Sequence, residues 1–266
     1  MQRRDFLKTS ALAASALAAG VKASAAPAKS VAASARECYE LRAYHLKPGA
    51  PHALLDTYLE KALIPALNGG GIKTVGVFTE TDPKDGPAVY VLIPHASVES
   101  FVTITVELNT DPTVLQNGSS YLQVTKDNPA FERIDSWFLL AFAGQPTLKL
   151  PPYSLEKKAR MFEMRTYESF SEVKALKKVE MFNSGEIETM HEVGLAPVFY
   201  GQALCGANLP HLTYMLSATD AEAHKKHWDA FRSHPVWVKL KNDPQYADTV
   251  SKITSRMLVP TSYSQI

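Results

Sequence analysis

The stretch Met161-Phe162-Glu163-Met164-Arg165-Thr166-Tyr167 occurs twice in this chain, the other copy being Cys38-Tyr39-Glu40-Leu41-Arg42-Ala43-Tyr44. From the aromatic residue onward both read apolar, Glu, apolar, Arg, small, Tyr, and they lie 123 positions apart (162 − 39). Strict alternation over six residues predicts a β-strand with successive side chains on opposite faces. One face carries Tyr39, Leu41 and Ala43, or Phe162, Met164 and Thr166. The other carries Glu40, Arg42 and Tyr44, or Glu163, Arg165 and Tyr167. Taken singly, such a strand is also a sheet edge whose charged face meets water. A strand that recurs at this distance predicts two copies of one unit.

The rest of the chain fits around that duplication. After Tyr44, apolar residues at helical spacing predict a helix over about residues 51–67, ended by Pro65 and Asn68-Gly69-Gly70-Gly71. Strands are predicted at 72–80 and 88–93, a helix at 97–109, and a fourth strand at 133–142. Pro146, Pro151 and Pro152 mark a linker, residues 146–160, between a first unit at 37–145 and a second at 161–266. In the second unit the opening strand is followed by a helix from Ser171 to Val193 with Leu176, Val179, Met181, Ile187 and Met190 as its apolar set. Strands at 196–205 and 211–217, a helix from Asp220 to Ser233 and a closing strand at 251–259 complete it. Each unit thus reads β-α-β-β-α-β, the ferredoxin-like plan, in the α+β class. Helices cover only one face of such a sheet. Two tandem repeats packed sheet-to-sheet would bury the other, an intramolecular version of the dimeric α/β-barrel. In that arrangement the apolar face of each opening strand meets the helices. Glu40, Arg42 and Tyr44 then face Glu163, Arg165 and Tyr167 between the sheets.

Composition bounds the function. A chain of 266 residues, 45% apolar, can bury two cores of about 100 residues each. Its net charge of +1 and lack of a basic stripe give no sign of a nucleic-acid partner. No apolar run reaches the roughly 18 residues of a membrane span. The N-terminus, Gln2-Arg3-Arg4-Asp5-Phe6-Leu7-Lys8, resembles a twin-arginine export motif. An Ala-rich segment and Ala23-Ser24-Ala25, a small-x-small cleavage pattern, follow. Residues 1–26 are therefore read as a removed signal, 27–36 as an unstructured leader, and the protein as a folded cargo of the twin-arginine machinery, periplasmic or secreted. Cys38 and Cys205 fall in different units and are read as free thiols.

Two motifs carry a family resemblance. Phe162-Glu163-Met164-Arg165-Thr166-Tyr167 and Trp228-Asp229-Ala230-Phe231-Arg232-Ser233-His234-Pro235-Val236-Trp237 are similar to the opening strand and the late Trp-x-x-Phe…Pro-x-Trp segment of the NIPSNAP family. His234 stands where the family more often has Asp. The first unit keeps the opening strand and only Asn109-Thr110-Asp111-Pro112 of the late segment. The resemblance implies a dimeric α/β-barrel fold. It carries over no catalytic residue, because that group includes haem-binding proteins, monooxygenases and proteins of no known reaction.

Candidate residues follow from both readings. Glu40, Arg42, Tyr44, Glu163, Arg165, Tyr167 and Tyr200 are ligand-pocket candidates. His191, near a helix end, is either a cation partner to the helix dipole or, by the resemblance, a haem ligand. His224, His227 and His234 lie within eleven positions, but Lys225 and Lys226 between them favour a solvated helix face over a metal site. Trp228, Phe231 and Trp237 read as core packing. No metal set and no cofactor is specified. Two functional classes stay open: a binding or accessory protein for a small, largely apolar ligand, and a haem or monooxygenase-type enzyme using the space between the sheets. Self-association is left open as well. The export reading has a direct test: replacing Arg3 and Arg4 by Lys should hold the uncleaved protein in the cytoplasm, scored by fractionation and size.

Overall fold

The computed structural model describes residues 36–47 and 52–266. The signal reading at 1–26, and the leader up to residue 35, lie outside the described residues. Eight strands form the frame: β1 Cys38–His45, β2 Gly76–Glu80, β3 Ala88–His95, β4 Arg133–Ala141, β5 Met161–Glu168, β6 Phe199–Cys205, β7 His211–Ala218 and β8 Lys252–Pro260. Five helices matter below: α1 (53–69), α2 Val98–Leu108, α3 (172–192), α4 Ala221–Ser233 and α5 Pro235–Lys241. Ser97 caps α2 by accepting from Ser100 N at 3.1 Å, and Asp220 caps α4 by accepting from Ala223 N at 2.8 Å. Both α1 and α3 contain a π-turn, at Leu59–Leu63 and Phe182–Glu186.

The strands close into one antiparallel barrel in the order β1-β3-β2-β8-β5-β7-β6-β4. The expected barrel is present, with the strands of residues 38–141 and those of residues 161–260 facing each other across its interior, and in addition they are joined edge to edge. One seam is β2 on β8, with Thr79 opposite Val259. The other is β4 on β6, with Leu139 opposite Ala203. Edge pairing satisfies the N–H and C=O groups that two stacked open sheets would leave bare. The second seam depends on Gly201, where a Cβ would stand 2.7 Å from the Leu139 Cβ.

Closure also reverses the expected faces. Tyr39, Leu41, Ala43, Phe162 and Met164 belong to one buried cluster with Phe78, Leu92, Leu139, Phe199, Met215 and Leu258, which is the barrel interior. Tyr39 meets Phe199 at 5.1 Å between ring centres, and Phe78 meets Phe162 at 5.0 Å. Glu40, Arg42, Tyr44, Glu163, Arg165 and Tyr167 point outward instead, under the helices. The reason is volume. An eight-stranded barrel has an interior that side chains just fill, so on β1 and β5 the apolar set goes there and the Glu-Arg-Tyr set goes out. One end is stoppered by Ile266, fully buried, with Leu148 and Leu150 of the linker packed against the same cluster.

The helices are less regular than the periodicity suggests. Leu176, counted in the apolar set of α3, is 53% exposed, while Ala175, Lys178 and Met181 form the buried face. Beyond them α3 kinks at Ser184 and Gly185, the latter at φ +123°, a value suited to glycine.

Each group of four strands depends on the other for its edges. Residues 159–266 expressed alone should therefore dimerise or precipitate through β6 and β8. Size-exclusion chromatography with light scattering would detect either outcome; a stable monomer would contradict the seam argument.

Candidate functional site

Glu163 is the hub of the outer face of β5. Its carboxylate accepts from His224 Nε2 at 2.8 Å, Trp228 Nε1 at 2.7 Å, Ser255 Oγ at 2.6 Å and Arg165 Nη1. The local sequence explains the convergence. His224 and Trp228 are i, i+4 on α4, so both project from one helix face onto the sheet. Ser255 lies on β8 beside β5, opposite Arg165. Burial alone would raise the Glu163 pKa. The His224 hydrogen bond, the charge of Arg165 and the Ser255 and Arg165 donors outweigh it and hold the carboxyl at about 2. With four donors on its oxygens, Glu163 organises the site and has no lone pair to spare for proton transfer.

His224 thus departs from the solvated face expected of it: it is 8% exposed, while Lys225 and Lys226 face water. The three histidines go separate ways. His227 lies against Gly194, and His234 accepts from Val236 N at 3.3 Å at the start of α5. Among the described residues no group of three or more His, Cys, Asp or Glu is placed to hold a metal ion. Trp228 is half-buried, and its ring lies 5.0 Å from the Arg165 guanidinium carbon.

Arg165 Nε donates to Tyr167 Oη at 3.2 Å, and Tyr167 shares a hydrogen bond with Tyr214 at 2.9 Å. Tyr200 is not part of the site; its hydroxyl donates to Met190 Sδ at 3.1 Å in the core beneath α3. On β1 the corresponding residues form a second, separate group. Arg42 donates to both Glu40 oxygens at 2.6 and 2.9 Å, and Tyr44 is buried against Phe131. Burial raises the Glu40 pKa, but nearby His95 and the Arg42 charge hold it at about 2. The structure therefore brings Glu163, Arg165 and Tyr167 together, and Glu40, Arg42 and Tyr44 together, but not the two triplets.

Beside the second triplet opens a cleft of ≈ 770 Å³ between the sheet and helices α3, α4 and α5. Trp228, Phe231, Trp237, Met181 and Tyr246 give it apolar walls. Its floor holds a pair that the sequence reading missed. Lys178 Nζ donates to Glu186 at 2.8 Å, with both side chains almost fully buried, and sits 4.5 Å from the centre of the Phe182 ring. Burial pushes the Glu186 carboxyl up, and the adjacent Lys178 charge opposes this. The positions 123 earlier are Leu55 and Leu63, 0% and 1% exposed in α1, which has the same π-turn at the same offset. Extending the repeat comparison past the opening strand would have exposed these two Leu-to-charge differences.

His191, the haem-ligand candidate, is exposed and binds Gln145 Oε1 through Nε2 at 2.8 Å. It lines neither the cleft nor the barrel. His224, which does reach the cleft, has its Nε2 engaged by Glu163. These residues do not fit a haem iron.

Residues 162–265 match the NIPSNAP family model. The matched stretch contains every residue that lines the cleft. No curated protein sequence matches the chain. Among solved structures, a "putative monooxygenase" of Fusobacterium nucleatum superposes with a TM-score of 0.56 at 11% identity, over 85% of this chain and 93% of its own. A "putative monooxygenase" of Lactobacillus acidophilus gives 0.57 at 9%, over 85% and 94%. A NIPSNAP-like domain protein of Burkholderia xenovorans is 18% identical over 40% of this chain and 88% of its own, with a TM-score of 0.35. The first two establish an α+β barrel fold shared along most of the chain.

The depressed Glu163 pKa sets an acid dependence. A carboxyl held at about 2 instead of 4.5 stabilises the folded state by about 3 kcal/mol at neutral pH. That stability is complete above pH 4.5 and is lost as pH falls toward 2. Glu163→Gln should lower stability by about 3 kcal/mol at pH 7 and flatten its fall between pH 4.5 and 2, measured by urea unfolding.

Proposed function

We propose that the chain is a ligand-binding protein whose site is the cleft of its NIPSNAP domain, and that the ligand is a small amphipathic anion. The observation that carries this reading is the buried Lys178–Glu186 pair. The fold does not require it, since Leu55 and Leu63 fill the positions 123 earlier. A buried ion pair is seldom more stable than apolar residues of similar size, so its presence beside a cleft points to recognition rather than stability. The polar end of a ligand meets Lys178 and Arg165, whose Nη2 has no protein hydrogen bond among the described residues. Arg232 and Lys241 add positive charge at the lip. Trp228, Phe231 and Trp237 take the apolar body, in the usual proportion of many apolar and few polar contacts.

The matched element order, π-turns and caps at a 123-residue offset support a tandem duplication of one ferredoxin-like unit, in which residues 161–266 kept or acquired a polar cleft. The twin-arginine motif supports export, which places the site outside the cytoplasm. An oxygenase working between the two sheets, the other functional class raised by the sequence, meets a barrel whose inner half is filled by Tyr39, Phe78, Phe162 and Phe199.

The test exploits the internal comparison. Glu186→Leu alone should cost about 3–5 kcal/mol, because it strands the Lys178 charge. The double variant Lys178→Leu/Glu186→Leu should recover most of that loss in thermal unfolding. Calorimetry with dodecanoate and with 3-phenylpropionate should show binding of at least one to the wild type. The double variant and Arg165→Met should each weaken it about ten-fold or more. Binding of neither anion, or a double variant less stable than either single one, would defeat the reading.

A further inference from the structure

The barrel interior is not uniformly filled. From the stoppered end outward, the inward residues of β1 are Tyr39, Leu41 and Ala43, and those of β5 are Phe162, Met164 and Thr166. On β7 they are Ser217, Met215 and Thr213, and on β8 Leu258, Arg256 and Thr254. Tyr39, Phe162 and Leu258 thus pack the base, Leu41, Met164, Met215 and Arg256 fill the middle tier, and small residues line the outermost tier. The result is a cavity of ≈ 440 Å³ at the open end, with Leu41, Ala43 and Met164 below and Trp137 and Tyr90 at its sides. It lies on the opposite face of the sheet from the cleft.

Its charges are already matched. Arg256 pairs with Glu80 at 2.9 Å and Asp85 at 2.6 Å, His45 and Arg133 with Asp135 at 2.8 and 2.9 Å, and Lys252 with Glu168 at 3.3 Å. A charged ligand would have to break one of these pairs. What remains unmatched is neutral. His211 is 3% exposed and lines the cavity, yet its Nε2 has no hydrogen-bond partner. Its Nδ1 lies 3.4 Å from Thr213 Oγ1, which also bonds Thr166 Oγ1 at 2.9 Å. Thr254 adds a third hydroxyl to the same cavity. An unmatched buried ring nitrogen is unfavourable, and a hydroxyl, able both to donate and to accept, satisfies it in either tautomer. Trp137 is held at the lip by its Nε1 bond to Ala207 O at 3.1 Å, presenting an aromatic surface beside these polar groups.

We propose that the open end of the barrel is a second binding site, for a neutral, hydroxyl-rich small molecule of monosaccharide or polyol size, held by His211, Thr213 and Thr254. The inference is independent of the anion cleft.

Saturation-transfer NMR on the full chain, with glucose and mannitol as probes and glucuronate and glucosamine as charged controls, tests it. Transfer should reach a neutral probe more strongly than either charged one. Thr213→Val and Thr254→Val keep side-chain shape, and each should weaken binding about ten-fold, as expected for one lost hydrogen bond. Ala43→Leu, which fills the cavity, should abolish it; should that variant not fold in a thermal melt, the two valine variants decide alone. No transfer to either neutral probe, equal transfer in both valine variants, or stronger transfer to a charged control would overturn the proposal.

Discussion

Closure of the sheet is the constraint on which the rest of this structure depends. Each of the eight strands is hydrogen-bonded on both sides, so no edge is left to cap or hide. A closed barrel of this size has a small interior, and on β1 and β5 that interior takes the apolar alternate of the strand. The Glu and Arg side chains of β1 and β5 are thereby forced outward. Outside, they stand under helices and cannot stay unpaired, since a buried lone charge costs about 3–5 kcal/mol. The donors must come from elsewhere, and on β5 they come from α4 and β8: His224, Trp228 and Ser255. The Glu163 hub is in this sense a consequence of the barrel, and the cleft beside it is built on that consequence.

The two helix-covered faces then act as a comparison of each with the other. They share element order, with helix caps and π-turns at one fixed offset, although α3 kinks at Ser184 and Gly185 where α1 does not. Under α1 the space is filled: Leu55, Leu59 and Leu63 are all buried, and Tyr58 stacks on Tyr121 at 4.1 Å. Under α3 the same positions are Lys178, Phe182 and Glu186, and Met181 replaces Tyr58. Removing the large ring and adding a charged pair exchanges packing for a polar-floored cleft. The filled face shows what the fold needs for stability, and the open face shows what it carries in addition.

Much of this was legible in the sequence, for identifiable reasons. The element order and the opening strands could be read because period-two alternation and helix periodicity are local signals. The NIPSNAP resemblance rested on Trp228, Phe231 and Trp237 at fixed spacing, and the match at residues 162–265 agrees with it. What stayed hidden was relational. Alternation separates Tyr39 and Leu41 from Glu40 and Arg42 but does not say which face is inside; only the pairing of β2 with β8 and of β4 with β6 decides that. His224 looked solvated because Lys225 and Lys226 flank it, although its i, i+4 partner Trp228 marks the buried face. Lys178 was passed over because Leu176 fitted the apolar stripe, yet the helix turns Leu176 to solvent.

The two cavities share a wall. Along β5 the residues alternate: Glu163, Arg165 and Tyr167 serve the cleft, and Met164 and Thr166 serve the barrel. On β8, Thr254 faces the barrel and Ser255 reaches Glu163 outside. Neighbouring residues therefore belong to different sites separated only by the sheet. A strand paired on both sides cannot slip by one residue without exchanging its inner and outer sets, so the wall is stiff in register. Side-chain rearrangement on one face then has no direct route to the other, since each face makes its hydrogen bonds with its own neighbours. Coupling would require a shift of the β5 backbone against both β7 and β8 at once. The architecture favours independence of the two proposed sites, one walled by helices and one by the barrel, on opposite sides of the same strand.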